Sequence, residues 1–152
     1  MDFGLRWPTR KYLAYSLILG VPLSALTAWA LSHVSEPSPL GGLTTTPVLA
    51  YLYFAVGAPI QEEVIFRGLL QSVLVRNIAS APKWVAASTV AGSLAIAALF
   101  GLIHFEVGPL TALAALVLGV VAGELRRRSA SLLPAIVCHS IFNLGGLLWV
   151  LS

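Results

Sequence analysis

Six residues of this chain carry chemistry that an apolar sequence does not otherwise need. Glu62, Glu63 and Arg67 stand in Glu62-Glu63-Val64-Ile65-Phe66-Arg67-Gly68, His104 closes Phe100-Gly101-Leu102-Ile103-His104, and His139 and Asn143 frame His139-Ser140-Ile141-Phe142-Asn143. A Glu with a His can hold a water and take its proton, and a His with an Asn can donate hydrogen bonds to a developing oxyanion. Together they form a kit for the attack of water on an amide. Glu62, His104 and His139 are equally a donor set that zinc accepts. Other protease chemistries fail on the residues present. His104 is followed by Phe105, so there is no HExxH, and Asp2 is the sole aspartate, so no aspartyl dyad forms. Cys138 and Ser140 adjoin His139 in sequence, and helical neighbours at i±1 do not face one another. No G-x-S-x-G elbow is present, and Cys138 reads more simply as a small buried apolar residue.

Each group also has a plainer role. Glu63 and Arg67, at i and i+4, pair on one helix face as a structural clamp, with Arg67 free to snorkel. A membrane histidine often only bonds a backbone carbonyl, and an asparagine such as Asn143 joins helices. Glu62 is left out of these pairings, because it is turned about 100° from Glu63. A carboxylate in lipid costs roughly 2.5–3.5 kcal/mol at a helix centre even on lenient scales, and an unpaired one is a functional candidate by default. Polar groups on three helices of one small bundle should face inward and converge on one cavity.

The elements that position these groups follow from composition. The chain has 152 residues, 58% hydrophobic and 10% charged, with mean hydropathy +0.90. A soluble domain carries about 25% charged residues, and disorder requires low hydrophobicity, so both classes are excluded. What remains is one polytopic membrane domain over residues 1–152. A net charge of +3 and pI near 9.4 fit positive-inside loops and do not call for nucleic acid. One cysteine excludes an internal disulfide, and no internal repeat supports a transporter plan.

Charge-free runs at 12–31, 37–61, 84–105, 107–123 and 129–152 predict an all-α bundle of about five transmembrane helices. Their expected bounds are about 12–31, 47–75, 84–105, 107–125 and 131–151. The first is too long for a signal-peptide core and is read as uncleaved. Breaks fall at Ser35-Glu36-Pro37-Ser38-Pro39 with Gly41-Gly42, at Ala81-Pro82-Lys83, at Gly108-Pro109, and at Arg126-Arg127-Arg128-Ser129. Arg6, Arg10, Lys11, Arg76, Lys83 and Arg126 to Arg128 fall on one side and no Lys or Arg on the other, which places the N-terminus in the cytoplasm and the C-terminus outside. Trp7 and Trp84 would mark the cytoplasmic ends, Trp29 and Trp149 the outer ends. Ala115-xxx-Gly119-xxx-Gly123 is a small-residue stripe for close helix packing. At 1.5 Å per residue, His104 lies about 30 Å from Trp84, whereas His139 lies about 10 Å beyond Leu132. For both to serve one site, span three must tilt, begin outside the bilayer or break near Gly92.

The ordered set EExxxR (Glu62 to Arg67), FxxxH (Phe100 to His104) and HxxxN (His139 to Asn143) resembles the CPBP family of CaaX proteases and bacteriocin-processing enzymes, also called Abi proteins. Pro59-Ile60-Gln61-Glu62-Glu63-Val64-Ile65-Phe66-Arg67-Gly68-Leu69-Leu70, and Leu118-Gly119 leading into Ser131-Leu132-Leu133-Pro134-Ala135-Ile136, carry the likeness over a core of about 59–145. The resemblance implies an intramembrane endopeptidase of a prokaryotic plasma membrane, acting on a membrane-associated, lipidated or tagged protein or peptide. It implies Glu62 as the carboxylate that activates water with His104, and His139 and Asn143 as oxyanion support. Glu63, Arg67 and Phe100 become supporting motif positions. The favoured reading needs no metal cofactor, with zinc on Glu62, His104 and His139 as the alternative. The competing functions are a non-catalytic immunity or scaffold protein of the same fold and an ion or proton transporter. No oligomeric state is implied.

Overall fold

A computed structural model describes residues 4–34, 36, 46–78 and 85–150. The breaks expected around Pro37–Gly42 and Ala81–Lys83, and the Trp84 and Trp149 side chains, lie outside the described residues. Among the described residues there is no strand, and five helices form the molecule. They are α1 (Arg10–Leu31), a long rod α2 over 47–78, α3 (Val85–Ile103), α4 (Pro109–Ser129) and α5 (Leu133–Val150). These match the five expected spans to within a few residues. Three described stretches are long and apolar enough to cross a membrane, namely Arg10–Leu31, Val48–Asn77 and Pro109–Ser129, while Thr89–Ile103 and Leu133–Leu148 are shorter apolar helices.

Contact registers fix the topology. Ser16 of α1 meets Pro134 and Ser24 meets Phe142, so α1 and α5 run parallel. Arg67 meets Gly119 and Gln71 meets Gly123, so α2 and α4 run parallel. Glu63 meets His139 and Phe54 meets Asn143, which sets α2 against α5. Gly101 abuts Leu116 and Gly119 abuts Ala97, which sets α3 against α4. The chain is therefore an up-and-down bundle. Arg6, Arg10, Lys11, Arg76 and Arg126 to Arg128 share one end, and the described charges at the other end are Glu36 and Glu106. Trp7 and Trp29 are exposed at opposite ends.

The packing inverts the soluble pattern. Many large apolar residues, such as Leu17, Ile18, Val21, Leu94, Leu113 and Val117, face outward, while small and polar residues line the interior around a cluster of Phe66, Ile96, Phe100, Leu118 and Leu125. Ser16, Gly20 and Ser24, one per turn, form the α1 face that seats on α5. A Cβ on Gly20 would stand 3.1 Å from the Cys138 carbonyl. The stripe expected on α4 is used in the same way, since a Cβ on Gly119 would stand 3.0 Å from Ala97 Cα. Close backbone approach is what small residues supply where lipid removes the hydrophobic drive for helix association.

The helix ends are held by caps. Pro47 opens α2, and the Thr46 hydroxyl accepts from the Leu49 N–H at 3.4 Å. Pro109 opens α4, and the Glu36 carboxylate accepts from the N–H groups of Leu110 (2.5 Å) and Thr111 (3.0 Å) and from the Thr111 hydroxyl (2.8 Å). At the basic end Ala130 takes a left-handed conformation (φ 54) and closes α4. The extended N-terminal segment docks there, with the Leu132 N–H donating to the Gly4 carbonyl at 2.9 Å. Gly4 has φ 75, and a side chain on it would strike the Arg126 guanidinium.

Candidate active site

The rod α2 is α-helical except for two wide-turn π stretches, Leu52–Gly57 and Val64–Leu70, which bracket the short α segment Ala58–Glu63. Pro59 accounts for the first. It has no N–H to offer the turn below, and its ring crowds the carbonyl four residues earlier. The Ala58 N–H bonds the Tyr53 carbonyl in π register, so the next bond in that register, from residue 59 to Phe54, cannot form. The Asn143 amide of α5 donates to that Phe54 carbonyl instead, at 2.8 Å. π-Bulges gather at functional sites, and here they present the two adjacent glutamates to α5.

Glu63 is fully buried and committed. Its Oε1 accepts from Arg67 Nη1 at 2.9 Å and from His139 Nδ1 at 2.9 Å. Arg67 is also fully buried, and its Nη2 donates to the Gly119 carbonyl at 3.2 Å, a contact that the small residue on α4 leaves open. One turn on, Gln71 repeats the pattern on Gly123 at 3.4 Å. Glu62 differs. Its side chain is 28% exposed against 0% for Glu63, and its Oε2 lies 3.8 Å from His139 Nε2, while Oε2 of each glutamate is without a hydrogen-bond partner. The i, i+4 pairing expected of Glu63 and Arg67 is present, and Glu62 lies outside it.

The two histidines are oriented by what their Nδ1 atoms touch. His104 lies just past the end of α3, its Nδ1 2.7 Å from the Phe100 carbonyl. A carbonyl only accepts, so Nδ1 carries the hydrogen and Nε2 is left for chemistry. His139 Nδ1 likewise gives its hydrogen to Glu63, which leaves Nε2 facing Glu62. With both carboxylates ionised and His139 protonated on both nitrogens, Glu62, Glu63, Arg67 and His139 sum to zero charge. With one proton fewer, the set carries a single negative charge.

Helix α3 is continuous from Val85 to Ile103, so no break near Gly92 brings the histidines together. One ring adjoins both. The fully buried Phe100 ring lies 4.7 Å from the His104 ring and 5.7 Å from the His139 ring, edge-on to Phe66 at 5.0 Å, with the Arg67 guanidinium carbon 4.6 Å from its centre. Cys138 is fully buried beside it, as expected of an apolar packing residue.

A cavity of about 280 Å³ brings Glu62, Phe100, His104, His139 and Asn143 to one wall system, closed in further by Leu31, Phe54, Thr111, Leu118 and Phe142. All four expected catalytic positions therefore border one space. Among the described residues no direct hydrogen bond joins Glu62 to His104. Nor, among them, is there a group of three His, Cys, Asp or Glu side chains placed to hold a metal ion. Residues that sequence reasoning missed are Ser24 and Thr27 of α1 on the cavity wall, the Phe54 carbonyl and Gln71. The spacing of Ser16, Gly20 and Ser24 in an otherwise Leu- and Ile-rich helix was the available signal for the α1 face.

No curated protein and no solved structure matches the chain significantly. A family model described as "Rce1-like: Type II CAAX prenyl endopeptidase Rce1-like" matches residues 44–145. That stretch is about two-thirds of the 152 residues and holds Glu62, His104, His139 and Asn143 with the whole of α3 and α4. The chain belongs to the Rce1-like family of type II CAAX prenyl endopeptidases, within the CPBP group of membrane proteases.

Proposed function

We propose that this protein is an intramembrane endopeptidase that hydrolyses a peptide bond of a membrane-associated, lipidated or tagged protein with a water activated by Glu62 and His104. The observation that carries this reading is the contrast between neighbours. Glu63 is fully buried, with its Oε1 spent on Arg67 and His139, while Glu62 is partly exposed and borders the cavity. Glu62 takes a proton from water as its oxygen bonds the scissile carbonyl carbon. The carbonyl oxygen becomes an oxyanion. The C–N bond then breaks as the amine nitrogen receives the proton, delivered through His104. His139, protonated on both nitrogens and donating through Nε2, and the second Asn143 amide hydrogen are the donors assigned to the oxyanion.

The reading is metal-free, with His139 and Asn143 together as the oxyanion pair. It places the basic end in the cytoplasm and the C-terminal end of α5 outside, supported by the segregation of Lys and Arg. A non-catalytic scaffold has no use for a free carboxylate held opposite an oriented imidazole. The test is reconstitution with a fluorogenic tail peptide and comparison with Glu62→Gln. Cleavage by wild type and loss in the variant are expected, and equal cleavage by both would refute the mechanism.

A further inference from the structure

We propose that a groove beside the N-terminal segment holds one anionic phospholipid of the leaflet at the basic end. The groove has a volume of about 420 Å³ and shares no lining residue with the cavity that Glu62 and His139 border. Two main-chain contacts build it. The Gly4 carbonyl accepts from the Leu132 N–H at 2.9 Å, and the Ser131 hydroxyl donates to the Arg6 carbonyl at 2.6 Å. The segment is thus fixed on the start of α5 with Leu5 and Trp7 exposed. Facing it are Ile60 and Val64, i and i+4 on α2 and also exposed, with Ile136 of α5. In a membrane domain such an apolar wall meets acyl chains, which are as apolar as leucine. Charge selects the headgroup. Arg6 is the one charged residue on the described lining. Arg10, Lys11, Arg76 and Arg126 to Arg128 share its end, and the one described acid there, Glu124, is bonded to Arg127 and Arg128. A phosphodiester with no ammonium of its own suits that excess, as basic segments beside a bilayer attract anionic lipid. Trp7 stands with Arg6 at the level where indole rings meet headgroups. A free phosphate would answer Arg6 and leave the apolar wall unmatched, so the occupant is a lipid. Ile60 and Val64 bracket the two glutamates, and Ile136 precedes His139 by one turn, so the acyl chain lies along the seam that the His139–Glu63 bond closes.

The test reads binding and is independent of the protease reading. The purified full chain in neutral detergent is titrated with dioleoyl phosphatidylglycerol or dioleoyl phosphatidylcholine, and bound lipid is counted by native mass spectrometry. Wild type should retain one phosphatidylglycerol about fivefold more tightly than phosphatidylcholine, the factor that one cation near an anionic headgroup contributes. Arg6→Gln should bind the two lipids equally. Arg76→Gln, at the same end and outside the groove, should keep the preference. Ile60→Trp, which fills the groove and leaves the Gly4 and Arg6 carbonyl contacts in place, should lose the bound lipid. Helicity and unfolding are followed for each variant, and a misfolded Arg6→Gln leaves the decision to Ile60→Trp. Equal retention of both lipids by wild type would overturn the proposal. So would equal loss of the preference in Arg6→Gln and Arg76→Gln, which would mean diffuse charge alone. Displacement of the phosphatidylglycerol by inorganic phosphate would overturn it in favour of a phosphate site, and undiminished retention by Ile60→Trp would place the lipid elsewhere.

Discussion

His139 Nδ1 lies 2.9 Å from Glu63 Oε1, the same oxygen that Arg67 Nη1 reaches at 2.9 Å. One carboxylate oxygen thus ties α2 to α5, fixes the imidazole ring, and leaves its Nε2 turned toward Glu62. A ring held in this way is oriented by its partner, as a buried histidine is whenever its second nitrogen is bonded. Glu63 therefore holds the ring whose Nε2 lies 3.8 Å from Glu62 Oε2.

Removing one member of this buried set should act on folding first. Arg67→Ala leaves Glu63 charged, buried and short of a partner. Breaking a buried ion pair from one side costs about 3–5 kcal/mol. Unfolding in detergent, followed by loss of helicity against denaturant, should show a drop of that order. Unchanged unfolding with lost activity would contradict the structural role.

The α1 face gives a second, independent handle. Gly20→Leu must push α1 off the Cys138 carbonyl and Ile141, and overpacking costs about 1–3 kcal/mol. Ser16→Ala removes a hydroxyl bonded to the Pro134 carbonyl at 2.7 Å, and interhelical hydrogen bonds in membranes average about 0.6 kcal/mol. Thermal unfolding should rank the two in that order. A larger loss for Ser16→Ala would mean that α1 is not seated through its small residues.

Much of this was legible in the sequence, and the reasons are physical. Lipid forbids isolated charge, so Glu62, Glu63, Arg67, His104, His139 and Asn143 stood out against their surroundings, and the charge-free runs located all five helices. The i, i+4 pairing of Glu63 with Arg67 followed from helix geometry alone. The bond from His139 to Glu63 did not, because it depends on how α5 lies across α2. The Phe54 carbonyl was hidden for a different reason. It becomes an acceptor only because Pro59 cannot complete a π-register bond, and a single sequence does not announce a π turn. The Glu36 cap was equally invisible, since 74 residues separate it from Leu110.

Glu36 predicts a pH dependence outside the membrane core. Partial burial pushes its pKa up, but the hydrogen bonds from Leu110 and Thr111 outweigh this and hold it below the ordinary value of 4.5. The carboxylate therefore stabilises the fold above its ordinary pKa, and that contribution disappears as pH falls through the lower folded value. Glu36→Gln should cost about 1 kcal/mol at neutral pH, as expected of a lost cap at a helix N-terminus. The stability gap between wild type and variant should close below pH 4.5. A gap that stays constant down to strong acid would show that the carboxylate charge plays no part in the cap.

Chelation distinguishes the two ways of activating water. Turnover of the purified protein should be unchanged after exhaustive treatment with a strong chelator, because Glu62 and His104 act on water directly. Strong inhibition that added zinc reverses would contradict the metal-free mechanism and assign Glu62, His104 and His139 to the metal.

The division of labour between the adjacent glutamates is tested most directly by measuring turnover and unfolding together for Glu62→Gln and Glu63→Gln. A positioned general base contributes about 10²–10⁴-fold, so Glu62→Gln should lose turnover by that factor and unfold like wild type. Glu63→Gln should unfold more readily and keep measurable turnover wherever it remains folded. Retained turnover in Glu62→Gln, or a folded Glu63→Gln that is equally dead at full stability, would contradict the account.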